Sequence, residues 1–170
     1  MSNIHVRRLS ADDAESYRAL RIEALKDAPK AFRDVAAEAE VRPMVYWREL
    51  FGGTRTFFGA YDADKMVGQV NFMPETGQVV AHKGWLLGMY VSPLARGTGA
   101  GLALIETLLD YALTTPCRQV HLGVGDFNAA AIRLYERAGF ERYGTEPRGQ
   151  IVDGQVIDEH LMVRFLDTTP

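Results

Sequence analysis

The sequence holds one cysteine, Cys117, in 170 residues. It therefore has no internal disulfide, which favours a reducing compartment. The four histidines are scattered, and with a single thiol they do not make a structural zinc site. No apolar run approaches the roughly 20 residues that cross a bilayer. The start, Met1-Ser2-Asn3-Ile4-His5-Val6, lacks a basic stretch followed by an apolar one, so no secretory leader is expected. These absences point to a cytoplasmic protein without a membrane partner. Excess positive charge is also missing: the net charge is −3, which does not suggest nucleic acid as a partner. Repeats, low-complexity tracts and Pro/Gly/Ser-rich linkers are absent, so residues 1–170 read as a single domain.

What is present is ordinary globular composition, 47% hydrophobic and 24% charged. That excludes a disordered tail, a collagen-like chain and a coiled coil. Alternation over Asn3–Leu9 predicts a strand. Ser10 then caps a helix over about Asp12–Asp27, with Tyr17, Leu20, Ala24 and Leu25 on its apolar stripe. Phe32–Val41 is ambiguous, and Pro43–Phe51 predicts a short helix begun by Pro43. Arg55–Tyr61 and Met66–Met73 predict a hairpin, followed by a long third strand over Val79–Val91 in which Gly88 points to a bulge or a close backbone approach. A helix after Gly101, a strand over Arg118–Val124, a helix over Asn128–Ala138 ended by Gly139, and strands at Phe140–Tyr143 and Gln155–Phe165 complete the order. The fold class is α/β (α+β): a mixed, mostly antiparallel sheet of about seven strands flanked by about four helices.

The sharpest local feature is Arg96-Gly97-Thr98-Gly99-Ala100-Gly101, set between a strand and a helix. Glycines let backbone approach a ligand closely, and the unpaired N–H groups of a helix start form an anion site. A P-loop is excluded, because no lysine follows Lys83. A dinucleotide fingerprint is excluded as well, because Leu102 or Leu104 stands where Gly or Ala is needed. The plain alternative is a tight turn with a flexible helix start. It leaves a backbone entropy cost of roughly 0.5–1 kcal/mol per glycine without a use.

Met89-Tyr90-Val91-Ser92-Pro93 followed by Arg96-Gly97-Thr98-Gly99-Ala100-Gly101 resembles the acyl-CoA-binding segment of the GNAT superfamily of N-acetyltransferases, with its Gln/Arg-x-x-Gly-x-Gly/Ala pattern met by Arg96, Gly99 and Gly101. A second stretch, Asn128-Ala129-Ala130-Ala131-Ile132-Arg133-Leu134-Tyr135-Glu136-Arg137-Ala138-Gly139-Phe140, is similar to that family's Asn-x-x-Ala-x-x-x-Tyr-x-x-x-Gly-Phe pattern. The resemblance covers roughly Leu87 to Phe140, and the pair of segments in order is far more specific than either alone.

The resemblance implies acetyl-CoA as acyl donor, no metal, and direct transfer of the acetyl group to a primary amine. The diphosphate would sit on the backbone of Arg96, Gly97, Thr98, Gly99, Ala100 and Gly101. The pantetheine arm would pair with the bulged strand near Met89 and Val91, and a backbone N–H near Met89 would meet the oxyanion. Asn128 would bond the arm, cap its helix, or do both. Tyr135 would be the general acid, since a phenol with an ordinary pKa of about 10 keeps its proton at neutral pH; the alternative is a packing residue. Trp85–Met89 holds no carboxylate where the family often has a glutamate base, which leaves Glu40, His82, His121, Glu159, water, or an amine that arrives already neutral.

The acceptor is expected to meet Phe32–Phe51, the hairpin turns and an Arg142–Gln155 loop. Tyr46, Trp47, Phe51 and Trp85 are candidates for an apolar pocket, and Asp153, Asp158 and Glu159 for attracting a cationic amine. A small-molecule amine is the expected acceptor. A protein or peptide amine is the second possibility, and an idle acyl-CoA-binding regulatory module the third. The oligomeric state stays open, a homodimer included.

Overall fold

The computed structural model describes residues 4–167; Asn3, expected to begin the first strand, lies outside them. One sheet of seven strands runs in the order β1-β2-β3-β4-β5-β7-β6. The strands are β1 (Ile4–Arg8), β2 (Thr56–Asp62), β3 (Lys65–Pro74), β4 (Lys83–Val91), β5 (Gln119–Gly125), β6 (Glu141–Val152) and β7 (Gln155–Phe165). Among the described residues five α-helices accompany them: α1 (Ala14–Asp27), α2 (Ala36–Val41), α3 (Met44–Glu49), α4 (Ala100–Leu113) and α5 (Ala129–Arg137). The additional helix is α2, in the stretch the sequence left ambiguous. It buries only Ala39, so it shows no apolar periodicity.

Each face of the sheet carries its own core. Phe58, Ala60, Val70, Phe72 and Leu86 pack with α4 and α5, while Phe57, Tyr61, Met66 and Tyr90 pack with α1, α2 and α3 on the other side. β2 shows why: successive side chains alternate, so Phe57 and Phe58 enter opposite cores. The Asp13 carboxylate accepts the Ser10 N–H at 2.9 Å, closing the first turn before α1. Pro43 stands just outside α3 as its cap, one position earlier than expected.

Two boundaries differ from the sequence reading. β4 begins at Lys83, because Val79–His82 form turns in which Val80 N–H bonds Gly77 C=O and Lys83 N–H bonds Val80 C=O; Val79 is exposed rather than buried. The expected Arg142–Gln155 loop is the long antiparallel hairpin β6–β7. Its two-residue connection is Asp153-Gly154, both at positive φ (50° and 77°), a mirror-image turn of the sort Asp-Gly favours.

The feature that positions the site is the β4–β5 pair, the sheet's parallel junction. Its register covers Lys83↔Gln119, Gly84↔Val120 and Trp85↔His121, and there the pairing ends. Beyond Trp85 and His121 the strands part, leaving two facing edges whose peptide groups have no partner across the gap.

Candidate active site

A cleft of about 1500 Å³ opens where β4 and β5 diverge. Its floor is the bulge at Gly88, as the sequence indicated. Opposite it the register jumps from Gln69↔Tyr90 to Asn71↔Leu87, so Gly88-Met89 occupies the space of one residue. Before the bulge Leu86 faces the α4/α5 core; after it Met89 and Val91 do. Gly88 has φ 63°, and a Cβ there would stand 2.8 Å from Asn71 Nδ2, so both conformation and space require glycine.

The glycine-rich turn borders the same cleft. Gly97 (φ 80°) and Gly99 (φ 91°) adopt the left-handed conformation and face open space. Gly101 serves differently: its Cβ would meet Leu134 Cδ2 at 2.9 Å, so it lets α4 and α5 approach. The first α-helical bond of α4 runs from Ala103 N–H to Gly99 C=O at 3.0 Å. The N–H groups of Gly97, Gly99, Ala100, Gly101 and Leu102 bond no other backbone group, and the macrodipole of a 14-residue helix adds to them. The Thr98 hydroxyl is spent on Ala95 C=O at 2.7 Å. Arg96 Nε donates to Val91 C=O at 3.1 Å, its guanidinium pairs with Asp27, and it lies over the Tyr90 ring. Tyr90 in turn donates towards Asp27 Oδ2 at 3.1 Å. The Arg96 side chain thus ties the turn to α1 and β4, and what remains open to a phosphate is backbone.

Asn128 and Tyr135 bring α5 to the cleft. The Asn128 side chain accepts the Ala131 N–H at 3.2 Å, the capping bond the sequence suggested. Tyr135 is buried at 6% exposure, its ring 5.9 Å from that of Phe140. Burial pushes its phenol well above the ordinary value, so it stays protonated through the neutral range.

Of the proton acceptors weighed from sequence, Glu159 alone borders the cleft. Glu40 pairs with Lys26 on the surface. His82 lies in the turn before β4. His121, its pKa lowered by burial and by Lys83, sits 5.3 Å from Trp85 away from the opening. Glu159 is buried at 4% exposure; it accepts from Gln150 Nε2 at 2.7 Å and from Arg33 Nη2 at 3.1 Å. Asp153 and Asp158 do not join it: Asp153 is in the β6–β7 turn, and Asp158 accepts the Arg148 N–H at 2.8 Å. Tyr46, Trp47 and Trp85 line the cleft, whereas Phe51 packs against Tyr17 and Phe57 instead.

Two cleft residues were not foreseen. Arg21 lies on α1 and Asn71 on β3, and each has a buried polar atom without a partner, Arg21 Nη1 and Asn71 Oδ1. The signal for Arg21 was available: it stands four residues after Tyr17 and four before Leu25, a charge on a buried helical stripe. Among the described residues no group of His, Cys, Asp and Glu could hold a metal ion, and no helix is long and apolar enough to cross a membrane.

The cleft thus combines a sheet split beside a bulge with a bare helix start at one wall and a buried phenol at the other. The family model described as "Acetyltransferase (GNAT) family" matches residues 19–140. The chain belongs to this family of acetyltransferases, enzymes whose acyl donor is acetyl-CoA. It is similar to a mycothiol acetyltransferase of Geodermatophilus obscurus, 30% identical over 138 residues, which cover 79% of this chain and 43% of that protein. The chain thus spans less than half the length of the curated relatives it matches. A GNAT-family acetyltransferase of Streptococcus pneumoniae superposes with TM-score 0.81 at 22% identity, over 96% of this chain and 99% of that one. A Salmonella typhimurium protein solved with acetyl-CoA gives TM-score 0.81 at 22% identity, over 99% and 97%. At those identities the two structures speak to the fold.

Proposed function

We propose that the protein transfers the acetyl group of acetyl-CoA to the primary amine of a small molecule, by direct attack. The observation that carries this is the end of β4–β5 pairing after Trp85 and His121. It leaves an open strand edge for an amide-bearing arm, bounded by the unpartnered N–H groups of Gly97, Gly99, Ala100 and Gly101.

Each side chain then has a task. The glycine-rich backbone holds the diphosphate, with Arg96 and Thr98 keeping the turn in shape. The open edge at Met89 and Val91 aligns the arm, and the bulge directs peptide N–H towards the carbonyl oxygen that gains charge. Asn128 fixes the start of α5, which presents Tyr135. In the transfer the amine nitrogen bonds the carbonyl carbon and the carbon–sulfur bond breaks. One amine proton leaves through water or Glu159, and the sulfur takes the Tyr135 proton, which solvent restores. Burial of Tyr135 suits this role, because a donor must arrive protonated.

A small acceptor is favoured over a peptide because cleft-lining side chains are withdrawn from solvent: Asn71, beside the bulge, is 4% exposed, and Trp47, on α3, 2%. The relatives' printed name likewise gives a small molecule, mycothiol. Thiol release from acetyl-CoA across a panel of amines and peptides tests the reading. Turnover with small amines is the expected result; tight acetyl-CoA binding without turnover on any amine would mean an idle binding module.

A further inference from the structure

Resting on that reading, we infer that the acceptor amine also carries a carboxylate, which Arg21 receives beside the Gly88 bulge. The Arg21 side chain is 12% exposed. Its Nη2 pairs with Asp34 Oδ2 at 2.7 Å, and its guanidinium lies over the Phe32 ring, 4.6 Å from the centroid. These contacts hold the group rigid and leave Nη1 buried with no acceptor. A buried donor without a partner is costly, and a charged one more so. Nη1 points at the reaction floor: it lies 3.8 Å from where a Gly88 Cβ would be. A second buried donor without a partner, Trp47 Nε1, belongs to the same cleft. Both are N–H donors, both come from the helical wall, and neither can accept a bond.

The opposite wall carries the complementary charge. Glu159, with Gln150 and Arg33 around it, offers carboxylate oxygen to an arriving ammonium group. Donors on the α1/α3 side and an acid on β7 match a molecule negative at one end and aminated at the other. A guanidinium takes a carboxylate in two parallel bonds where geometry allows, and a site built for that group discriminates against its neutral analogue. The chemical class is therefore an amino carboxylate, with the spacing between its groups to be read by experiment.

The test compares matched acceptors, from α-amino to ω-amino carboxylates, each beside its methyl ester and its carboxamide. Rates are expressed per neutral amine, because esterification lowers the amine pKa. The expected result is a kcat/KM preference for the free carboxylate of about 10-fold or more, carried mainly by KM. In R21M that preference falls to near one, in R21K part of it returns, and in W47F it is reduced. Acetyl-CoA affinity, measured by calorimetry on the same preparations, confirms that each variant is folded. Equal kcat/KM for carboxylate and ester in the unaltered protein overturns the inference, and that comparison needs no variant. Equal losses on both acceptors in R21M overturn it too. In either case amine acetylation itself stands; if no amine is acetylated at all, the proposed function falls and this inference with it.

Discussion

Arg33 Nη2 lies 3.1 Å from Glu159 Oε2, joining the segment after α1 to the middle of β7 across the cleft. The two ends of the pair differ sharply in environment, the Arg33 side chain being 73% exposed and that of Glu159 6%. Arg33 can leave for solvent at little cost, whereas Glu159 depends on Gln150 and on whatever enters the cleft.

For this reason E159Q should lower kcat/KM for the amine by about 10- to 100-fold while acetyl-CoA affinity is kept. R33A should cost far less. Steady-state kinetics and calorimetry on both variants check this; equal losses in the two would assign the effect to the ion pair rather than to the carboxylate.

Tyr135→Phe should reduce kcat by roughly 10- to 10⁴-fold without unfolding the protein, since the ring remains packed against Phe140. Burial raises the phenol's pKa, so the proton is present at neutral and mildly alkaline pH and lost only far above. The pH–rate profile should therefore show no fall from Tyr135 through pH 9. An alkaline fall below that value which disappears in Y135F would contradict the assignment.

Gly99→Glu should cut coenzyme A affinity by about 10-fold or more, because it brings a negative charge to the helix start proposed to hold the diphosphate. The left-handed φ of 91° also strains any L residue, by about 1–2 kcal/mol. Gly99→Ala separates the two effects: it carries the strain without the charge. Binding should weaken much more in G99E than in G99A, while their melting temperatures fall alike.

The acid limb of stability has an identifiable contributor. Asp13 receives two hydrogen bonds from Arg7, at 3.0 and 2.7 Å, and one from Tyr61 at 3.2 Å. The Arg7 guanidinium holds its carboxyl down at about 2, below the ordinary 3.8. A carboxyl lowered on folding stabilises the native state above its unfolded value and loses that contribution as pH falls through the folded one. Asp13→Asn should therefore cost about 1 kcal/mol at pH 7, after allowance for solvent around Arg7, and almost nothing near pH 2. Urea titrations at the two pH values measure the difference.

Much of this architecture is legible in the residues. Gly88 within an apolar run marked the bulge, Asn128 the cap of α5, and Gly139, at φ 82°, its end. The failures have physical causes. Val79-Val80-Ala81 has strand composition, but Gly77 and the following turn bonds remove it from the sheet. The start of β6 reads as the strand Phe140–Tyr143, but its exposed, charged remainder shows no apolar alternation and reads as loop, although Asp153-Gly154 is a hairpin signal in plain view. At the site, the backbone cradle was visible because glycine spacing encodes it locally. Arg21, Asn71 and Glu159 converge from α1, β3 and β7, and such a meeting is decided by topology rather than by any one stretch of chain.

The narrow seam between β4 and β5 has a mechanical consequence. Three register pairs, at Lys83, Gly84 and Trp85, join the two halves of the sheet at that junction, with the His82 carbonyl before them accepting from the Arg118 and Gln119 N–H groups. A guest whose amides bridge the gap supplies the rungs the polypeptide omits, so rigidity here is shared between the chain and its cargo. On the proposed function, coenzyme A would be that guest, and its departure would leave the gap unbridged until the next donor binds.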